Sequence, residues 1–321
     1  MRFLVTGGTG FVGSHVVDAL LARGDAVTAL ARDPGRLRWL EGREVRVAKG
    51  DTARGEGLDA ALEGCDAVMH VAGVIRAPSE EEFRRGNAGA VRHLLEACVR
   101  APSVPRSVTV VTSLAALGPP ADGVASRPDD ACRPVSAYGR SKAEAEGVCA
   151  EFAGRLPIRV VRPPIVYGPR DEAVLEIFRV VAWRLKPQAL PDQRLSLVHV
   201  RDLASGILAV ADRGRDGGRY FVAHPEVLTS RELANRVEEA LGVLAVSVAV
   251  PGPILRTAAA VSEAVTGGRA LFNRDKASEM LAPAWVCDVG GTREKIGWSA
   301  AIPHTDGLFE TAAWYRSQRW L

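Results

Sequence analysis

Tyr138 and Lys142 stand four residues apart in the segment Tyr138-Gly139-Arg140-Ser141-Lys142, a spacing that sets a phenol and an ammonium on one face of a helix and within reach of each other. A phenol titrating near about 10 moves protons poorly at neutral pH, and an adjacent ammonium lowers that value by favouring the phenolate. The pair therefore reads as a candidate general acid/base. Such a spacing occurs often by chance, and it gains weight from Ser113, which ends the apolar run Ser107–Thr112 upstream of the same helix. A hydroxyl there is placed to hydrogen-bond and orient a substrate oxygen.

The second constellation opens the chain. Phe3-Leu4-Val5 runs into Thr6-Gly7-Gly8-Thr9-Gly10-Phe11-Val12-Gly13 and then into a helical pattern. Glycines allow a tight turn and let backbone N–H groups approach a pyrophosphate, whose charge the helix N-terminus favours. In a strand–turn–helix context the pattern predicts a dinucleotide site at Gly7, Thr9, Gly10, Phe11, Val12 and Gly13. Oxidised nicotinamide beside Tyr138 would add to the effect of Lys142. The second strand delivers Ala31 and then Arg32, where NAD enzymes keep a carboxylate for the adenosine ribose. A guanidinium suits the 2′-phosphate of NADP; the alternative, an exposed Arg with Asp33 as the acid, leaves NAD possible.

The elements that must position these groups read as follows. Short β-branched runs at Phe3–Thr6, Ala26–Ala31, Val45–Ala48, Ala67–His70, Ser107–Thr112 and Ile158–Val161 alternate with helical stretches, which predicts an α/β, doubly wound parallel sheet. The first helix ends at Arg23-Gly24, and two long ones cover Asn87–Arg100 and Ser136–Phe152. Pro119–Val135 reads as a long loop over the carboxyl ends of the strands. After Val161 the alternation weakens and prolines punctuate the chain. The expectation is a cofactor-binding domain over 1–165, with 195–224 returning to it, and a smaller C-terminal substrate domain from 166–194 and 225–321. Leu195–Val200 is expected to rejoin the sheet, with Asp202 capping the helix Leu203–Ala211.

The 321 residues carry a net charge of +3 from 41 basic and 38 acidic side chains, which gives no field to hold nucleic acid or an anionic membrane. Met1–Thr6 runs straight into a strand pattern, leaving no room for a leader. Cys65, Cys98, Cys132, Cys149 and Cys287 are scattered, without metal-ligand spacing, which suits a reducing, cytoplasmic setting and no metal. Ala240–Val265 is apolar for much of its length, but Pro251, Gly252, Pro253 and Arg256 interrupt it well short of the roughly 20 residues a membrane span needs. It reads as a strand followed by an amphipathic helix.

These segments resemble the extended short-chain dehydrogenase/reductase superfamily, the NAD-dependent epimerase/dehydratase family, over nearly the whole chain. TGGTGFVG at 6–13, YGRSK at 138–142 and VTSLAALG at 111–118 are similar to its cofactor turn, Tyr/Lys segment and serine segment. The resemblance implies a Rossmann domain, adenine contacts at Asp51 and Thr52, and a strand passing under the cofactor at Val71 and Ala72. It further implies a following helix with Asn87 and Gly89, a nicotinamide border at Pro164 and Val166, cofactor contacts by Tyr138 and Lys142, and a homodimer through the helices near Asn87 and Ser136. His199 and the closing segment are expected to be structural.

Departures from the family narrow the expectation. Dehydratases carry Asp-Glu after the catalytic hydroxyl, where this chain has Leu114 and Ala115. Nucleotide-sugar enzymes carry an Arg-Asp pair where it has Leu195 and Ser196, with Arg194 alongside. The expected activity is NADP(H)-dependent hydride transfer to or from a carbonyl or secondary alcohol of a fairly apolar small molecule. A nucleotide-sugar epimerase with tightly bound cofactor, and a non-catalytic NADP sensor, are the alternatives.

Overall fold

The computed structural model describes residues 1–120, 123–267 and 272–321. The first half alternates strand and helix: β1 (Arg2–Thr6), α1 (Phe11–Ala22), β2 (Ala26–Ala31), β3 (Arg46–Lys49), α2 (Leu58–Leu62), β4 (Ala67–His70), α3 (Glu80–Arg84), α4 (Ala90–Arg100), β5 (Val108–Val111), α5 (Ala137–Glu151) and β6 (Ile158–Arg162). There follow β7 (Ile165–Tyr167), α6 (Leu175–Ala182), β8 (Leu185–Gln188), β9 (Arg194–His199), α7 (Val200–Arg213), β10 (Arg219–Phe221), β11 (Val227–Thr229) and α8 (Ser230–Leu241). The chain closes with β12 (Val246–Ala249), α9 (Gly252–Thr266), α10 (Arg274–Met280), β13 (Ala284–Trp285), α11 (Gly290–Ile296) and α12 (His304–Ser317).

Seven strands, among the described residues, form one parallel sheet in the order β10-β6-β5-β4-β1-β2-β3. Side chains alternate across it as the pleat requires. Phe3 and Val5 join Val16, Val17 and Leu20 of α1 and Leu203, Ile207 and Val210 of α7. Leu4 lies on the other face with Leu94, Leu95 and Cys98 of α4 and Val148 and Cys149 of α5. The strand order reverses between β1 and β4, and such a switch point opens a crevice at the carboxyl ends of the strands.

Three expectations are corrected. Leu195–Val200 does form a strand, but β9 pairs with β11, β13 and β7 in a separate small sheet. The edge beside β6 is instead taken by β10, with Arg219 opposite Val160. Asp202 is not a cap: α7 starts earlier, at Val200, with His199 as N-cap, and the Asp202 carboxylate accepts from the N–H groups of Ala301 and Ile302 at 3.1 and 2.9 Å. The helix expected from Asn87 begins at Glu80, capped by Ser79, and a π turn over Arg85–Gly89 joins α3 to α4. Of the Pro119–Val135 loop, residues 121–122 lie outside the described residues, and Ser126 pairs with Cys287.

The fold carries a pH dependence. His15, His70, His199 and His304 are buried, and burial pushes them down to about 4, 3, 3 and 4 from an ordinary 6.5. Below pH 6.5 the unfolded chain therefore holds more protons than the native one, and stability falls as pH falls toward about 4. Each histidine removes up to about 1.4 kcal/mol per pH unit in that window. Urea midpoints measured from pH 7.5 down to pH 5 should drop; a midpoint that stays level contradicts this account.

Candidate active site

The glycine turn is built for close approach. Gly7 has φ +75°, and a Cβ there would lie 2.6 Å from the Ala72 nitrogen. At Gly13 a Cβ would lie 2.1 Å from the Gly7 carbonyl oxygen, so α1 can pack this tightly only with glycine. The turn closes through Gly10 N–H donating to Gly7 O at 3.0 Å, and no side chain caps α1 at Gly10. A tight, uncapped helix N-terminus with Thr9, Phe11 and Val12 half-buried around it fits a pyrophosphate.

Several further sequence-expected residues stand just past the carboxyl end of a strand of the parallel sheet. Arg32 follows β2, Asp51 and Thr52 follow β3, Val71 and Ala72 follow β4, Ser113 follows β5, and Pro164 follows β6. Val166 lies in β7, opposite Val198. Arg32 is exposed and has no hydrogen bond or ion pair among the described residues. The neighbouring Asp33 carboxylate accepts from Gly35 N–H at 3.0 Å and faces Arg36 at 3.8 Å. Asp51 accepts from Ala53 N–H at 2.8 Å.

Ser136 caps α5 by accepting from Gly139 N–H at 3.0 Å. A Cβ on Gly139 would lie 2.5 Å from Ala115 O. Glycine there lets α5 close onto the short 3-10 turn that begins at Ser113, whose Oγ accepts from Ala115 N–H at 3.1 Å. Tyr138 is thereby brought to Ser113, with Phe83 edge-on to its ring at 6.1 Å. The buried Lys142 ammonium lies 5.9 Å from the Tyr138 ring centroid and donates to Val111 O at 3.4 Å. Asn87 ties the stretch after β4 to this helix, accepting from Val74 N–H at 2.9 Å and donating to Ser141 Oγ at 2.9 Å.

The electrostatics differ from the expectation that Lys142 holds the phenol low. Burial pushes Tyr138 up to about 12; the Ser113 hydroxyl pulls it down, Glu279 pushes it up, and Lys142 is not among the groups that move it. Burial also takes Lys142 down to about 8, opposed by the charge of Glu146. In the protein by itself, desolvation is the largest influence on both groups.

Sequence reasoning missed the partners of α5. Ser136 Oγ donates to Glu279 Oε1 at 2.8 Å, 143 residues along the chain, and Ala137 N–H donates to Asp275 Oδ2 at 2.6 Å. Both carboxylates come from α10, and no local pattern signals them. His199 packs against Tyr167, ring centroids 5.4 Å apart. Elsewhere His224, Glu226 and His304 bring ligand-type atoms within 4.8 Å of one another. Arg236 holds the Glu226 carboxylate at 2.5 Å, and both His304 nitrogens are hydrogen-bonded, to Tyr167 and to Glu226 O. That cluster is a packed polar network.

A parallel sheet in this order, with a phosphate-type turn at the switch point, defines a Rossmann nucleotide-binding protein. The chain belongs to the NAD dependent epimerase/dehydratase family, whose model matches residues 3–223, and is an enzyme of the extended short-chain dehydrogenase/reductase type. It is 30% identical over 333 residues to a ceramide reductase of Caulobacter vibrioides, covering 99% of this chain and 95% of that one. It is 28% identical to the 4-hydroxy-2-methyl-3-oxo-4-farnesyl-3,4-dihydroquinoline-1-oxide ketoreductase of Stigmatella aurantiaca, covering 96% and 95%. A double mutant of DesIV, a dTDP-glucose 4,6-dehydratase of Streptomyces venezuelae solved with NAD and DAU bound, superposes with TM-score 0.80 at 25% identity, covering 100% and 98%.

Proposed function

We propose that this protein is an NADP(H)-dependent oxidoreductase acting on a carbonyl or secondary alcohol of an apolar small molecule. When bound, NADPH supplies the hydride that reduces the carbonyl carbon. Ser113 orients the carbonyl oxygen, Tyr138 gives its phenolic proton to that oxygen, and Lys142 contributes positive charge 5.9 Å from the ring centroid. Support for the chemistry comes from the meeting of Ser113, Tyr138 and Lys142 beside the glycine cradle.

The observation that carries the substrate class is the packing of Leu195 and Ser196. Leu195 is buried in the hydrophobic cluster of the small sheet, and Ser196 Oγ accepts from Cys287 N–H at 3.2 Å. Neither offers a charge to a diphosphate, and Arg194 Nη1 is turned to Gly123 O at 3.1 Å. A diphosphate without a positive partner is poorly solvated. The relatives named for ceramide and for a farnesyl-bearing quinoline point the same way. UDP- and GDP-sugars at millimolar concentration should neither turn over nor shift the melting temperature of the NADP complex, whereas a hydrophobic ketone or hydroxy compound should do both. Epimerisation or tight binding of a nucleotide sugar overturns the reading and favours the epimerase alternative.

Cofactor choice is tested separately. Asp33 is already engaged by Gly35 N–H while Arg32 is unpaired, so NADP should bind on the order of ten- to a hundredfold more tightly than NAD. Arg32→Ala should remove most of that gap in a fluorescence titration; equal affinity in the native protein excludes the role of Arg32. The five free cysteines, four of them buried, support a cytoplasmic setting. A homodimer through α4 and α5 is the expected assembly.

A further inference from the structure

The apolar stretch that stops short of a membrane span folds into an outward-facing apolar surface. Strands β8 and β12 form a two-stranded parallel ribbon with Leu185 opposite Val246. One side of this ribbon is tied down, the buried Lys186 ammonium meeting Asn235 Oδ1 at 2.9 Å and the carboxylate of Glu238 on α8. The other side has no partner among the described residues. Leu244 is 82% exposed, Trp183 73%, Val246 67% and Ile254 60%, with Leu185 and Val248 beside them.

Helix α9 continues the surface. Leu255 and Ala259 face inward onto Ala277 of α10. Ile254, Ala258, Val261 and Val265 are exposed and recur at helical spacing, so a second apolar stripe looks outward. Contiguous apolar surface of this kind marks an interaction site. The unpaired charges beside it are basic: Arg184 and Arg256 are exposed with no ion pair among the described residues, 183–190 and 243–262 contain no acidic residue, and Glu263, farther along α9, turns its carboxylate to Arg274 N–H at 3.0 Å. The whole-chain charge of +3 hides this local bias.

We propose that the β8–β12 ribbon and the outer face of α9 dock on an anionic lipid bilayer, from which an apolar substrate reaches Tyr138. This rests on the apolar-substrate reading above. Trp183 and the aliphatic side chains enter the headgroup region while Arg184 and Arg256 meet lipid phosphates. The surface is joined by packing to the helix that carries Tyr138. Helix α9 packs on α10, and α10 sends Asp275 and Glu279 to the residues immediately before Tyr138. No helix among the described residues is long and apolar enough to cross a membrane, so the attachment is peripheral.

The test is co-sedimentation of the full chain, with no substrate present, on vesicles of phosphatidylcholine alone or mixed with phosphatidylglycerol. The native protein should bind the anionic vesicles on the order of tenfold more tightly, and salt should weaken binding. Val246→Asp with Ile254→Asp should abolish binding while leaving the turnover of a soluble short-chain ketone unchanged. Arg184→Gln with Arg256→Gln should remove the preference for phosphatidylglycerol. Should the aspartate variant fail to fold, quenching of Trp183 fluorescence by brominated lipid, assigned by Trp183→Phe, gives the same answer. A native protein that stays in the supernatant with both vesicles overturns the proposal, as does an oligomer that the aspartate variant dissociates, which would make this face an interface between copies. Because vesicle binding requires no turnover, failure here and failure of the substrate reading are told apart.

Discussion

Tyr138→Phe is expected to bind NADP with native affinity and to lose hydride transfer by at least the ~10²–10⁴ that a positioned proton donor contributes. The ring keeps its edge contact with Phe83, so only the hydroxyl and its interaction with Ser113 are lost. Its loss leaves the nascent alkoxide without a proton. Stability should hold, because a phenyl ring fills the same buried space and leaves no unpaired hydroxyl on residue 138. A stopped-flow assay of NADPH oxidation beside a cofactor titration separates the two quantities. Near-native turnover would remove Tyr138 from the chemistry, and lost cofactor affinity would reassign it to binding.

Arg162→Leu should cost about 3–5 kcal/mol of stability, the penalty of leaving one partner of a buried ion pair alone. Arg162 is 2% exposed and Glu146 5%; Arg162 Nε donates to Glu146 Oε1 at 2.8 Å, and Nη1 donates to Pro128 O at 2.6 Å. Removing the arginine strands a carboxylate whose near partners are then the Thr112 hydroxyl at 2.8 Å and Arg219 at 4.0 Å. Adding Glu146→Leu should recover much of the loss, since an apolar pair of similar volume carries no unpaired charge. Activity should part company with stability in the double variant. Glu146 opposes the burial that takes Lys142 down to about 8, so without it Lys142 discharges at lower pH and the alkaline limb of the rate profile moves down. Urea unfolding and pH–rate curves on the three proteins check both statements. A double variant no more stable than Arg162→Leu would show that the cost lies in lost packing.

The parallel core was legible because its strands are β-branched runs bounded by clear turns, as in Phe3–Thr6 and Ala67–His70, and because a glycine turn announces itself by spacing. Strand β10 was not, since Arg219-Tyr220-Phe221 is too short to show a period. Leu195–Val200 has the pattern of a strand, but a pattern of apolar residues says nothing about which neighbour it pairs with, and the edge of β6 went to β10. The same limit applies at the site. Ser113, Tyr138 and Lys142 could be picked out from type and order. The carboxylates of Asp275 and Glu279 could not, because their relation to α5 exists only after α10 has been carried back across the chain. The electrostatic balance was equally invisible: a sequence shows that an ammonium is near a phenol, but not that both are dry.

That long-range contact orders events in time. The close approaches of the cradle at Gly7, Gly13 and Ala72 lie within the first 72 residues, and the helix that packs on it, α7, ends at Arg213, whereas the cap of the helix bearing Tyr138 draws on residues 275 and 279. During synthesis from the N-terminus the chain can therefore assemble a nucleotide cradle well before the surroundings of its phenol are complete. The last quarter of the polypeptide acts as the final part fitted, and capacity for chemistry arrives after capacity for binding.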